Sequence, residues 1–301
     1  MIQGSGRFAP LIETDARPPE SHRLLVASDG HEIERMENTD MKIARFEWQG
    51  APRWGVVQGD MLHAMEGELF GDMRAGEPVC AFADAKLLAP MDKGTKALGL
   101  GLVYKDMWAE YRKANGIAGR DGPATFMKPP NSVIAHNESI VYHDVCKNVI
   151  YEAEVGVVIG KRASRLSIEN DNVAEYVAGY TCVNDMTCNE FKTVEQPIVS
   201  TRFKILDTFC PIGPVIETEA NFDDLVVICR VNGREVQHSR CGRDMSFTLN
   251  ELLVWVTAFM TLEPGDIIAS GADGMGRVEV GDVIEVDVSG IGILSNPVVA
   301  P

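Results

Sequence analysis

The stretch Tyr151-Glu152-Ala153-Glu154-Val155-Gly156-Val157-Val158-Ile159-Gly160 decides how the chain is read. Val155, Val157, Val158 and Ile159 make a run that is apolar on both faces, as in a strand buried from both sides. Two carboxylates stand one residue apart at its head. Residues i and i+2 of a strand point to the same face, so Glu152 and Glu154 converge. The pair has two readings. It is a solvated strand face, the usual fate of Glu-x-Glu, or a pair of hard oxygen ligands, because acids heading a buried strand are costly unless paired or metal-bound. Asp185 ends the next apolar run, 177–184. If that run is the neighbouring strand, three carboxylates meet at one point, a set suited to a divalent cation and most of all to Mg²⁺.

The chain has 301 residues, 45% of them hydrophobic. That allows one large domain, or a main domain with a small one. The net charge of −16 argues against nucleic acid and anionic membrane as partners. It leaves room for an anionic substrate, because a metal reverses the local field. Seven cysteines occur without a Cys-x-x-Cys pair, so neither a zinc cluster nor a disulfide framework is indicated. Cys182, Cys210 and Cys229 lie in apolar runs and read as reduced core residues. A cytoplasmic location is expected, with no signal peptide and no membrane span.

Residues 1–40 carry Pro10, Pro18 and Pro19 without periodicity and read as a loose N-terminal extension. Residues 41–90 alternate apolar and polar positions between turn signals at Gln49-Gly50 and Gly59-Asp60, a small β-rich N-terminal subdomain. Residues 91–301 carry the paired carboxylates and are expected to make the metal-binding catalytic domain. An apolar strand at 96–102 leads to a helix at 106–113 and a glycine-rich loop with Gly116, Gly119 and Gly122. Short strands follow at 125–127 and 132–135. A helix at 168–176 feeds the strand at 177–184. A strand at 225–231 turns at Asn232-Gly233, a strong hairpin signal. A buried helix fits 248–260, and strands fit 267–270, 282–288 and 290–298. Many short strands with two or three helices make an α/β, β-rich architecture.

Further residues join the carboxylates. The segment from Arg202 to Pro214 contains Lys204 in an apolar setting, where it is either a surface lysine or a cation that orients a carboxylate or carbonyl oxygen. The ordered set of segments from Glu152 to Pro214 resembles the fumarylacetoacetate hydrolase superfamily. The matching pieces are YEAEVGVVIGK, Tyr176-Val177-Ala178-Gly179-Tyr180, Asn184-Asp185 and DTFCPIGP. Phe126-Met127-Lys128-Pro129, Thr261-Leu262-Glu263-Pro264-Gly265-Asp266 and Gly292-Ile293-Leu294-Ser295-Asn296-Pro297-Val298 support it. The resemblance runs in order from Met41 to the end of the chain, and the isomerase and decarboxylase members look nearest.

The resemblance implies a mixed β-sandwich roll with one Mg²⁺ or Mn²⁺ on Glu152, Glu154 and Asp185. It implies Lys204 facing a small 2-oxo acid or its enol, with Tyr104, Asp106, Lys128, Arg240 and Ala272 around the substrate. It implies a homodimer. Two departures stand out. Members carry Asn-Tyr-x-x-His-x-x-Glu where this chain reads Val103-Tyr104-Lys105-Asp106-Met107-Trp108-Ala109-Glu110. Met107 cannot do general acid–base work, and Glu110 is left as the candidate base. Members also carry Gly-Thr-Pro where Gly271-Ala272-Asp273 stands. His238, Arg240 and Arg243 after the hairpin are further candidates for substrate contact. Trp108 and Tyr111 either close over the pocket or simply pack the helix.

Three functions remain open on this reading. The first is keto–enol isomerisation or decarboxylation of a dicarboxylate through a stabilised enolate. The second is C–C hydrolysis of an acylpyruvate-like 1,3-diketo acid, with Glu110 as base. The third is a non-catalytic metal- and ligand-binding protein that has lost the His–Glu dyad.

Overall fold

A computed structural model describes residues 41–115, 122–192 and 201–301. The extension at 1–40, and Gly116 and Gly119 of the glycine-rich loop, lie outside the described residues. The apolar run becomes strand Ala153–Ile159, and all seven of its residues are buried. Its burial on both faces follows from its two neighbours. Strand Val177–Asn184 pairs with it antiparallel, with Ala153 opposite Asn184 and Val157 opposite Tyr180. Strand Ile267–Ala269 pairs antiparallel on the other edge, with Gly156 opposite Ala269. Gly156 is required here by contact: a Cβ would meet Val183 Cγ2 at 2.7 Å and Thr181 Cγ2 at 2.8 Å.

These three strands are central to a twelve-stranded mixed sheet. On one side it continues through Ala97–Gly101, parallel to Ile267–Ala269, and ends at Ala124–Lys128. On the other side it continues through Cys210–Glu217 to Lys42–Trp48, Ala51–Gln58, Met61–Glu66 and Arg74–Ala81. The strands of 41–90 therefore share a sheet with the rest of the chain, through Lys42 opposite Glu217 and Ile43 opposite Ile216. A second sheet runs Arg234–Arg240, Val226–Val231, Val283–Val288, Gly292–Val299, Ile140–Val141. It packs on Ala153–Ile159, Val177–Asn184 and Cys210–Glu217, burying Val155, Val157, Cys182, Val227, Val286 and Leu294 between the layers. A β-sandwich with one face-to-face core is the result. A small third sheet joins Thr187–Cys188, Val149–Tyr151 and Gly276–Arg277.

The two longer helices fall where the apolar spacing puts them, at Lys105–Asn115 and Leu249–Thr257. The second starts on a capping box. Thr248 Oγ1 accepts the Glu251 N–H at 3.2 Å, and the Glu251 carboxylate accepts the Thr248 N–H at 2.8 Å. The helix expected over 168–176 shrinks to a 3₁₀ turn, Val173–Tyr176. The residues before it bond locally instead: Asp171 Oδ2 accepts the Ser167 N–H and Asn172 Nδ2 donates to Glu175 Oε1. Short polar side chains that satisfy nearby groups compete with helix in this way. The same chemistry delays the strand expected from Leu225. Asn221 caps a 3₁₀ turn, Phe222–Asp224, and the strand begins at Val226. No helix among the described residues is long and apolar enough to cross a membrane.

Thr248→Ala removes half of the capping box and leaves an orphan N–H. It is expected to cost about 1 kcal/mol, read as a lower urea midpoint at unchanged slope. An unchanged midpoint would show that tertiary packing alone fixes this helix end.

Candidate metal and substrate site

Glu154 lies on strand Ala153–Ile159, and Glu152 sits in the break just before it. Asp185 follows the end of Val177–Asn184, and its N–H donates to the Glu152 carbonyl at 2.8 Å. The neighbouring-strand condition is therefore met, and the three carboxylates gather at one end of a buried strand pair. All three are buried, Asp185 completely.

Two buried lysines enter this cluster. The Lys128 ammonium, at the end of strand Ala124–Lys128, pairs with Asp185 Oδ1 at 2.7 Å and donates to the Met186 carbonyl at 3.2 Å. Lys204 reaches in from the turn at 201–204 and donates to both Glu152 Oε2 and Asp185 Oδ2. Its ammonium also lies over the Phe126 ring, 4.5 Å from the centroid, a favourable cation–π placement. The register sets Phe126 opposite Gly99, where a Cβ would lie 2.2 Å from the ring. Gly99 is thus the slot that admits the ring beneath Lys204.

The carboxylates are held from behind as well. Thr187 Oγ1 donates to Glu152 Oε2 at 2.6 Å, and Asn184 Oδ1 accepts the Glu152 N–H at 3.3 Å. Glu154 Oε2 accepts the Gly271 N–H at 2.7 Å. Gly271 has φ +98°, and a Cβ there would meet Val103 Cγ2 at 2.2 Å. Val103, the first departure from the family pattern, is therefore a packing residue against the loop that holds Glu154.

The electrostatics are unequal. Burial opposes the charge on Asp185, but Lys128 and Lys204 outweigh it and hold its carboxyl below the usual range. Burial also works against the Lys204 ammonium, yet Asp185, Glu152 and Glu154 more than offset this and raise its pKa. Glu154 goes the other way. Burial, and then the negative charge of Asp185, push its carboxyl well above the ordinary value. Three carboxylates face two ammonium groups, and Glu154 carries the imbalance.

The other predicted residues fall in different places. Tyr104 is buried, and burial raises its hydroxyl pKa; Cys241, Ser239, Glu154 and Asp273 lie close enough to act on it. Ala272 is buried beside Gly271. Glu110 is exposed on helix Lys105–Asn115, and Met107 on the same helix is half-buried. Arg240 is exposed, with its N–H on Asp244 Oδ2 at 2.9 Å. The side chains of Asp106, Trp108 and Tyr111 lie outside the described residues. His238 points outward and pairs with Glu235 at 3.2 Å.

Sequence reasoning passed over Gln237, beside His238. Gln237 is buried, its amide donates to the Ala153 carbonyl at 3.0 Å, and its Oε1 is buried without a partner. The signal was available: strand Arg234–Arg240 alternates, so His238 outward means Gln237 and Ser239 inward. Thr187 and Phe126 carried no comparable mark.

Hard carboxylate oxygens from two adjacent strands, with more negative charge than the local cations balance, are the donor chemistry of a Mg²⁺ or Mn²⁺ site. Among the described residues, no three Asp, Glu, His or Cys groups close on a single point; Glu152 and Asp185 meet instead on the Lys204 ammonium. The donor set fits a divalent cation, provided Lys204 swings off at least one carboxylate.

Residues 96–299 match the fumarylacetoacetate (FAA) hydrolase C-terminal family, and residues 41–90 match the Rv2993c-like N-terminal family. The chain belongs to the fumarylacetoacetate hydrolase family. It is similar to the uncharacterized protein MJ1656 of Methanocaldococcus jannaschii, 38% identical over 68% of this chain and 83% of that protein. It is also similar to the oxaloacetate tautomerase YisK of Bacillus subtilis, 35% identical over 74% of this chain and 76% of that one. Among solved structures it resembles a 5-carboxymethyl-2-hydroxymuconate delta-isomerase from Mycobacterium smegmatis, with TM-score 0.76 and 30% identity over 87% of this chain and all of that one. The β-rich sandwich with its N-terminal strands is the fold of that family.

Lys128→Met removes one partner of a fully buried ion pair and leaves Asp185 short of a cation. A loss of about 3–5 kcal/mol is expected in metal-free buffer, measured by guanidinium unfolding. A loss below about 1 kcal/mol, the scale of exposed pairs, would mean that Lys204 alone satisfies Asp185.

Proposed function

We propose that this protein is a divalent-metal-dependent tautomerase of a 2-oxo dicarboxylate, interconverting its keto and enol forms. The observation that carries the reading is the buried cluster of Glu152, Glu154, Asp185 and Lys204. The chain's similarity to an oxaloacetate tautomerase and to a 5-carboxymethyl-2-hydroxymuconate delta-isomerase supports the choice of reaction.

Glu152, Glu154 and Asp185 would hold Mg²⁺ or Mn²⁺, which when bound supplies Lewis-acid stabilisation of enolate charge. Lys204, once released from a carboxylate, presents a buried ammonium to a substrate oxygen, and Phe126 keeps it from swinging to solvent. Lys128 keeps Asp185 ionised and oriented. Gly271 orients Glu154 through its N–H. A dry, preorganised setting of this kind favours developing negative charge more than water does.

Tautomerisation also suits what the chain lacks. C–C hydrolysis needs a general base to activate water within hydrogen-bonding reach. Met107 has no proton to exchange, and Glu110 is exposed rather than buried among the carboxylates. A keto–enol shift needs no activated water: one proton leaves carbon and one reaches oxygen while the developing oxygen charge is stabilised.

The test follows enol absorbance of oxaloacetate in a stopped-flow instrument, with carbon dioxide and chain-cleavage products assayed in parallel. Decay of enol absorbance should accelerate with Mg²⁺, and the acceleration should vanish with a chelator. Release of carbon dioxide or a cleaved acid as the main product would overturn the assignment. Two variants separate the roles. Glu154→Gln should abolish Mg²⁺ binding by calorimetry. Lys204→Met should slow tautomerisation by roughly 10² or more while binding Mg²⁺ more tightly, because the competing ammonium is gone. Weaker Mg²⁺ binding in Lys204→Met would contradict that competition.

A further inference from the structure

Residues 201–209, which deliver Lys204, contain no strand or helix, so individual bonds must fix where the lysine starts. The peptide carbonyls on either side of Lys204 are both held. The Phe203 carbonyl accepts the Cys188 N–H at 2.9 Å, from the short strand that also carries Thr187. The Ile205 carbonyl accepts the Asn131 side-chain amide at 3.2 Å. The same amide nitrogen donates to Asp207 Oδ1 at 2.5 Å, and the Asn131 carbonyl accepts the Thr208 N–H at 3.3 Å. Both side-chain partners are acceptors, so the amide can face them only with its nitrogen. His143 closes the far side. Its Nε2 donates to the Asp207 carbonyl at 2.9 Å, and its ring meets Phe209 edge-on with 5.6 Å between centroids.

Asn131 follows Lys128 across Pro129 and Pro130, whose φ angles are locked. The Ser132 hydroxyl and N–H both donate to the Pro129 carbonyl, which tightens the 3₁₀ turn Pro130–Ser132. The strand that ends in Lys128 therefore continues as a stiff arm to the turn that carries Lys204. Lys128 takes Oδ1 of Asp185 and Lys204 takes Oδ2. Asn131 ties together the two backbones that bring these ammonium groups to one carboxylate.

We propose that Asn131, with Asp207 as its acceptor, is a positioning residue for Lys204. Both are exposed, and they act through the backbone of the turn. The need for such a clamp rests on the role proposed above for Lys204. To admit a divalent cation the lysine must leave a carboxylate, and to serve a substrate oxygen it must stop close by. A loose turn would let the backbone drift and carry the ammonium with it. A clamped turn leaves only rotation about the side-chain bonds, over the Phe126 ring. Without the clamp, Lys204 grips the carboxylates less firmly and meets the substrate less often. Misplacement by about 1 Å is enough to slow a reaction by about 10².

Asn131→Ala removes the amide and keeps the backbone carbonyl that holds Thr208. The first measurement needs neither metal nor turnover. The folded, metal-free protein is briefly acetylated with acetic anhydride, digested, and the Lys204 and Lys128 peptides are quantified by mass spectrometry. Lys204 should be acetylated severalfold faster in Asn131→Ala than in the wild-type protein, with Lys128 unchanged. Equal labelling of Lys204 in the two proteins would overturn the proposal, and it would do so even if the enzyme proves not to be a tautomerase. The second measurement is a double-mutant cycle on turnover. Asn131→Ala should lower kcat by about 10- to 100-fold and should slow Lys204→Met no further. An equal slowing in the Lys204→Met background would place the effect elsewhere in the fold and overturn the proposal. Asp207→Asn keeps the acceptor oxygen and should retain most of the turnover that Asp207→Ala loses; equal losses would remove Asp207 from the clamp.

Discussion

The antiparallel pairing of Ala153–Ile159 with Val177–Asn184 is the constraint on which the rest depends. It is buried on both faces, so its register cannot slip without turning apolar side chains out of the core. That register sets Ala153 opposite Asn184 and so brings Glu152 beside Asp185. Packing forces together groups that repel each other. The fold answers with Lys128, Lys204, Thr187 and the Gly271 N–H, each delivered by a different segment.

The compensation is incomplete in a useful way. Asp185 meets both lysines and is held ionised, while Glu154 is pushed towards its protonated form. A site that balanced all its charges internally would have little affinity for a cation. One that leaves a carboxylate under-compensated would gain by taking a divalent ion, and on the proposed reading this would free Lys204 for a substrate oxygen. Binding and chemistry then draw on the same imbalance.

Much of this was legible in the sequence, for local reasons. The apolar run announced a doubly buried strand, and the acids at its head announced a site. Thr248 and Glu251 announced a capped helix, and Asn232-Gly233 a hairpin. The ordered motifs pointed to the family that the comparisons establish. What was illegible was delivered from a distance. The resemblance put Lys128 beside the substrate, but its pairing with Asp185 shows only once the fold brings the end of strand Ala124–Lys128 to that carboxylate. Phe126 reads as an ordinary strand aromatic until Gly99 admits it beneath Lys204. The expected helix at 168–176 failed because Asp171 and Asn172 bond to their own neighbours, an effect hidden from apolar periodicity. Gln237 has no titratable group to mark it beside His238, although alternation along the strand turns the glutamine inward.

The central claim is that one buried cluster binds a divalent cation and an enolate-like anion together. Oxalate, a planar dianion with two adjacent oxygen pairs, mimics the enolate of a 2-oxo acid. Calorimetric titration of oxalate with and without saturating Mg²⁺ tests the claim directly. The account predicts that oxalate binds tightly only with Mg²⁺, and that oxalate raises Mg²⁺ affinity by the same factor, as linkage requires. Equal oxalate affinity in the presence and absence of Mg²⁺ would contradict it.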